Sequence, residues 1–226
     1  MSHIPVMLDE CVNSLVQNIN GCYIDGTIGG GGHSTAILER LSKDGRLIGF
    51  DRDLDAISRV KNKFLDDSRL SLIHSNFSDM AKKLDEHGIK MVDGLFLDLG
   101  VSSFQLDEAE RGFSFQSNGP LDMRMDRSIG ITAKDWIANA DEKEIANVIW
   151  KYGEENAAKP IAKAIVKKRK HRPITTTEEL STIVKSVKKT YRKNKTHPAT
   201  LTFQAIRIVV NSELESIELV LNDMIK

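Results

Sequence analysis

At 226 residues the chain has room for one substantial core, or for a core carrying one smaller insertion, and not for three ordinary domains. Hydrophobic residues at 40% and charged residues at 28% exclude a disordered tail, and no apolar run approaches the length that spans a bilayer. The formal net charge of +0 hides a separation: between Lys159 and Lys195 thirteen Lys and Arg stand against Glu178 and Glu179, a local +11 balanced by −11 over the rest of the chain.

A polyanionic partner would meet that basic segment first. Met1-Ser2-His3-Ile4-Pro5-Val6-Met7 lacks the basic start, apolar stretch and cleavage site of a secretory signal, so the expected location is the cytoplasm. Cys11 and Cys22 are too few and wrongly spaced for a metal knuckle, and are read as small core residues.

The first hundred residues alternate short β-rich apolar runs with helical stretches, which predicts an α/β fold with a parallel sheet. Strands are expected over 22–26, 47–51, 70–74 and 94–99, and helices over 35–41, 54–65 and 77–87. Each strand closes on an acidic or polar residue, placing Asp25, Asp51, Asn76 and Asp98 at the rim where such sheets bind ligands. From Phe104 to Met125 the sequence has no clean period and reads as a long ordered loop of the functional kind. Helices are expected again over 141–152, 157–170 and 177–189, the last opened by the capping box Thr176-Thr177-Glu178-Glu179. Trp136, Trp150 and Tyr152 would form the core of this helical insertion. One last helix is expected from Pro198 to about Met224, with Phe203, Ile206, Val210, Leu214, Ile217 and Leu221 on one face. The expected domains are therefore 1–104, 105–196 and 197–226.

Tyr23 to Ser34 runs from a strand into Gly29-Gly30-Gly31-Gly32 and then a helix. Four glycines without Cβ atoms make backbone that a ligand can touch directly; the alternative is a flexible linker. No register supplies G-x-G-x-x-G, and no Lys-Ser or Lys-Thr follows, so neither a dinucleotide nor a nucleoside triphosphate is indicated. A nucleoside ligand without pyrophosphate remains, such as S-adenosylmethionine, whose aminoacyl group suits a carboxylate such as Asp25 and N–H groups at a helix start. Asp51, about twenty residues beyond the glycines, suits ribose hydroxyls, or is a solvated turn residue. Asp53 reads as a helix cap. Phe77 with Asn76 could receive adenine, or Phe77 is core. Asp98 could grip the N–H groups of a base amine during methyl transfer, or contact the cofactor alone. His33 faces the ligand or caps its helix. The basic run reads as a nucleic-acid surface or as solvated helix faces.

With these residues in view the chain resembles the MraW or RsmH family, the bacterial 16S rRNA cytosine-N4 methyltransferases, along essentially its whole length. The resemblance rests on His3 to Leu8, Asp25-Gly26-Thr27 with the glycines and His33-Ser34, Asp51-Arg52-Asp53, and Asp98 to Ser103. It extends through Leu106 to Phe115, Gly119 to Asp126, His197 to Thr200 and Thr202 to Ala205. It implies a class I (Rossmann-like) S-adenosylmethionine-dependent methyltransferase, a doubly wound parallel sheet with an inserted helical domain, acting on the N4 amine of a decoding-site cytidine in the small ribosomal subunit. Carried over by motif position, cofactor binding falls on Gly31, Gly32, His33, Asp51, Phe77, Asp98 and Gln105, with Asp98 also the candidate catalytic residue. RNA contact is assigned to Lys167, Lys168, Arg169, Lys170, Arg172, Lys188, Lys189, Arg192 and Lys193. No metal and no membrane partner is expected.

The chain departs from the family pattern at Phe104, where Pro is usual, and at Asn156-Ala157, where Arg-Phe is usual. Family members also continue beyond the helix ending near Met224 into further strands. Were Lys226 the terminus, the fourth strand would be an open edge inviting a homodimer or other self-association. The alternatives to the rRNA enzyme are a catalytically impaired RNA-binding or cofactor-binding fragment of it, and a small-molecule methyltransferase.

Overall fold

The computed structural model describes residues 5–188 and 197–224. The chain divides into two compact units, Met1–Ser102 with Glu215–Lys226, and Ser103–Leu214.

The first unit is an alternation of strands and helices: α1 (Leu8–Leu15), β1 (Cys22–Asp25), α2 (Gly32–Arg40), β2 (Arg46–Asp51), α3 (Leu54–Lys63), β3 (Leu70–His74), α4 (Met80–Glu86) and β4 (Gly94–Phe96). All pairings are parallel and the strand order is β3-β2-β1-β4, the α/β arrangement expected. The order reverses at β1, whose carboxyl end is therefore the switch point where ligands bind in open sheets. Two apolar layers hold the sheet. Val12, Val16, Tyr23, Ile37, Leu38, Leu41 and Leu47 pack together, and Ile24, Ile48, Phe50, Phe77, Met80 and Leu84 form a second cluster. Leu95, Phe96 and Leu97 are half-buried. Cys11 and Cys22 are likewise half-buried, and burial raises the Cys22 thiol above its usual pKa.

The second unit holds α5 (Ser103–Asp107), α6 (Ala133–Asn139), α7 (Glu142–Gly153), α8 (Ala158–Arg169), α9 (Thr177–Val187) and α10 (Thr200–Val210). The capping box at α9 is present, Thr176 accepting from the Glu179 N–H while the Glu179 carboxylate accepts from the Thr176 N–H. Trp136 is buried, but Trp150 is 66% exposed on α7 and so is not part of the core expected for it.

The helix expected from Pro198 to Met224 is two helices, α10 and α11 (Glu213–Met224). The break follows from chemistry at its joint. Asn211 turns its side-chain amide away from helix continuation to backbone of the 119–126 segment, and Ser212 takes a left-handed φ of 47°. The apolar stripe consequently changes partners. Phe203 and Ile206 are buried in the second unit, Val220 is buried in the first, and Leu214 and Leu221 are exposed. Ile217 and Val220 pack on the Phe50 and Phe77 cluster, and Asn76 donates to Ser216 Oγ at 2.9 Å.

Candidate functional site

The rim of the first unit is built around the loop from β1 to α2. Asp25 ends β1 and is 1% exposed, with Ser34 Oγ donating to it at 2.6 Å and Thr27 N at 3.2 Å. Burial pushes its pKa up to about 6 against those two bonds. Asp25 thus staples the loop to the first turn of α2 and does not stand open to a ligand, a correction to its expected role. Asp51 ends β2 and accepts from Gly29 N and Asp53 N, both at 2.8 Å. Burial raises its pKa, opposed by those backbone donors. Each oxygen keeps a second lone pair with which to accept from a ligand. Asp53 caps α3 by accepting from Asp55 N.

The glycines are not equivalent. Gly31 has φ +70°, and a Cβ there would lie 3.2 Å from Val60 Cγ2 and 3.3 Å from Phe64. A Cβ on Gly32 would come within 2.4 Å of Pro5 Cγ. These two are glycine for turn conformation and packing, which the spacing did not reveal. Gly29, at φ +50°, is the open one: its nearest neighbours would be 3.8 Å and 3.9 Å away. Beside the loop, α2 starts from left-handed Gly31, so its first-turn N–H groups point out of the helix end as at any helix start.

Asp98 follows β4, its N–H donating to Thr27 Oγ1 at 2.6 Å, and its side chain is 58% exposed. Leu99 and Gly100 are exposed after it. His33 is 7% exposed, its ring tilted on Phe96 at 4.5 Å with Nδ1 3.7 Å from Asp98 Oδ2. It therefore does not cap its helix. Phe77 is buried in the core cluster beneath β3, with the Arg52 guanidinium 5.9 Å from its ring centre. The first unit so brings Gly31, Gly32, His33, Asp51 and Asp98 to one rim, with Phe77 beneath it. Thr27, which ties Asp98 to the glycine loop, carried no signal in the sequence beyond standing next to them.

In the second unit Gln105 is buried on α5. The stretch read as a long loop is heavily tied down. Arg111, 1% exposed, donates to the Met125 carbonyl at 2.9 Å, and Thr177 Oγ1 accepts from Gly119 N at 3.1 Å. Burial would raise Asp122, but the hydrogen bonds of Arg124 outweigh it and hold the carboxyl below its usual pKa.

Of the residues assigned to RNA, Lys167, Lys168 and Lys170 are exposed at the end of α8. Arg169 is half-buried and donates to the Ile137 carbonyl, and Arg172 pairs with Glu179. Lys188 is turned inward: its Nζ lies 2.5 Å from the Oε2 of buried Glu155 and 3.3 Å from the Pro198 carbonyl. Lys189, Arg192 and Lys193 lie outside the described residues. Among the described residues no helix is long and apolar enough to cross a membrane, and no group of three or more His, Cys, Asp or Glu could hold a metal ion.

A model of the MraW methylase family matches residues 1–226. The ribosomal RNA small subunit methyltransferase H of Alteromonas mediterranea is 53% identical over 216 residues, covering 95% of this chain and 68% of that protein. The proteins of the same name from a Janthinobacterium species and from Nitrosomonas eutropha are 49% and 51% identical, covering 98% and 97% of this chain and 69% of each relative. β4 ends the sheet among the described residues, paired on one side with β1; neither that edge alone nor the relatives support the self-association expected there.

Proposed function

The chain belongs to the MraW methylase family, and on that premise we propose that it is an S-adenosylmethionine-dependent enzyme that methylates the N4 amine of a decoding-site cytidine in 16S rRNA of the small ribosomal subunit. One observation carries the reading. The loop after β1 is bonded to both neighbouring strand ends, through Gly29 N to Asp51 and through Thr27 Oγ1 to the Asp98 N–H, so Asp51 and Asp98 share one rim, which supports a binding role for the first and a reacting role for the second.

The residues fit the cofactor by chemistry. Asp51 retains acceptor capacity for ribose hydroxyls, Gly29 leaves open space at the loop surface, and the first turn of α2 offers N–H groups to a carboxylate. Phe77, buried beneath the rim in the same unit, completes the set. S-adenosylmethionine supplies, when bound, an electrophilic methyl group.

The remaining work falls on Asp98. The lone pair of an exocyclic base amine is delocalised into the ring, so the nitrogen attacks poorly until something favours its tetrahedral form. The exposed Asp98 carboxylate accepts an N–H of the amine, raises its nucleophilicity, stabilises the nitrogen as it becomes positive, and takes the proton that the methylated amine releases. Its main chain is anchored to Thr27, so the acceptor is fixed before substrate arrives. The exposed Lys167, Lys168 and Lys170 of the second unit attract the phosphate backbone, with Arg169 and Arg172 contributing from their internal partners. The relatives' name, ribosomal RNA small subunit methyltransferase H, supports that substrate class.

The test is nucleoside mass spectrometry of unmodified small subunits incubated with this chain and isotopically labelled S-adenosylmethionine. Label in N4-methylcytidine is expected; label elsewhere, or none, overturns the assignment.

A further inference from the structure

His33 is more deeply placed than a residue that touches the cofactor alone would need to be. Its ring is buried, and both nitrogens have oxygen neighbours: Nε2 lies 3.3 Å from the Val6 carbonyl and Nδ1 lies 3.7 Å from Asp98 Oδ2. A carbonyl only accepts, so Nε2 carries the hydrogen and donates to Val6. That bond decides which way round the ring sits, and it turns Nδ1 toward Asp98. Phe96, two residues before Asp98, supports the ring from beneath at 4.5 Å. Pro5 packs so closely on Gly32 that no Cβ could stand between them. The segment Pro5-Val6, part of a motif that the proposed function leaves without a role, is thereby seated on the start of α2.

We propose that His33 is a positioning residue for Asp98, and that the N-terminal segment acts in catalysis by orienting His33 through the Val6 carbonyl. This rests on the methyltransferase reading above. At 3.7 Å the contact to Asp98 exceeds hydrogen-bond length. The ring limits where the carboxylate can swing. With the Asp98 N–H held by Thr27 and its side chain bounded by His33, the exposed part of the carboxylate is left for the amine. A displacement of about 1 Å in a reacting group costs up to roughly a hundredfold in rate, so a residue that only bounds the carboxylate has a measurable effect.

Two substitutions separate the ring's two roles. In His33→Gln the side-chain amide reaches the position of Nε2 and keeps the bond to Val6, while the group facing Asp98 is lost. In His33→Asn an amide stands near Nδ1 and faces Asp98. Turnover on small subunits, cofactor dissociation constant by calorimetry and thermal unfolding are measured for both, beside the unsubstituted chain and a variant lacking residues 1–6. His33→Gln is expected to lower kcat roughly ten- to hundredfold with little change in cofactor affinity, and His33→Asn to recover part of it. The truncated variant, in which His33 itself is intact, is expected to lower kcat in the same direction. Cofactor affinity falling by the same factor as turnover makes His33 a cofactor contact and overturns the proposal, as does unchanged kcat in His33→Gln or in the truncated variant. If the substituted chains unfold, the truncated variant decides. An unsubstituted chain that transfers no methyl group sinks the methyltransferase reading itself, an outcome distinct from these.

Discussion

The side chain of Asn211 donates to the Met123 carbonyl at 2.7 Å, and its Oδ1 accepts from Met125 N at 2.8 Å, so one amide grips the chain on both sides of Arg124 as a neighbouring strand would. Met123 is held there at a φ of 62°, a conformation an unconstrained Met avoids. Asn211→Ala would leave both backbone groups without this partner in a buried place, at about 1–3 kcal/mol for each. The variant is expected to unfold at lower denaturant concentration, and hydrogen exchange at the Met125 amide to accelerate. Asn211→Asp keeps the acceptor and is expected to lose less; equal losses would show that the bond accepted from Met125 N contributes nothing.

Asp25 gives the rim a pH dependence of stability. Its folded pKa of about 6 lies above the ordinary 3.8, so it favours the folded state below about pH 4, and that contribution is lost as pH rises through 6. The difference corresponds to ~3 kcal/mol. Asp25→Asn cannot ionise, so the stability of the native chain minus that of the variant is expected to fall by about that amount between pH 4 and pH 7. Parallel stability curves for the two proteins across that range would mean that Asp25 is not held in a desolvated site.

The glycine loop separates folding from binding. In Gly31→Val the new side chain meets Val60 and Phe64 in a left-handed backbone, so both stability and cofactor affinity are expected to fall. In Gly29→Ala there is space for the Cβ and only the backbone cost of about 1–2 kcal/mol applies. Its larger expected effect is on cofactor affinity, read by calorimetry at a temperature where both proteins are folded. An unchanged dissociation constant in Gly29→Ala would remove that loop surface from the cofactor site.

What the sequence made visible followed the strength of each pattern. β3 emerged at its observed limits because Leu70 to His74 is a bounded apolar run. α1 and α6 were invisible: in α1 only Val12 is fully buried, and α6 spans seven residues, too few for a periodic stripe. The chain break at Asn211 was hidden because a helical stripe running through it is unbroken in the sequence, and the competing bond goes to a residue 88 positions away. Asp51 and Asp98 were legible at the rim because each stands at, or just beyond, the carboxyl end of a strand. His33 was seen without its partners, since spacing says nothing of Val6 and Asp98 converging on its ring. The same limit applies to the lysines, whose direction a charge count does not record.

Lys188 illustrates the point and can be tested against its neighbours. Lys188→Gln leaves Glu155, which is buried, without its cation, a loss toward the lower end of roughly 3–5 kcal/mol because Lys188 itself keeps some exposure. It is expected to leave the salt dependence of RNA binding as it was. Replacing Lys167, Lys168 and Lys170 together by Gln is expected to do the reverse, reducing the slope of log affinity against log salt by roughly 2 at about 0.7 per phosphate contact on single strands. If Lys188→Gln flattens the slope and the triple replacement does not, the assignment of the RNA surface to the end of α8 is wrong.

Asp98→Asn tests the chemistry most directly. Asn keeps the size of the side chain and leaves the main-chain bond to Thr27 untouched, so the end of β4 should hold its place. What changes is the charge available to an amine that becomes positive as it takes the methyl group, an interaction stronger in the transition state than with bound substrate. The expected signature is therefore a fall in kcat of roughly a hundredfold or more, the range seen when one stabilising group is removed from an oxyanion-type site. RNA affinity, which the proposed function assigns to phosphate contacts of the second unit, is expected to change little. Cofactor affinity is the deciding third measurement: a loss there equal to the loss in kcat/KM would make Asp98 a binding residue and return the search for the acceptor to the exposed backbone carbonyls of Leu99 and Gly100.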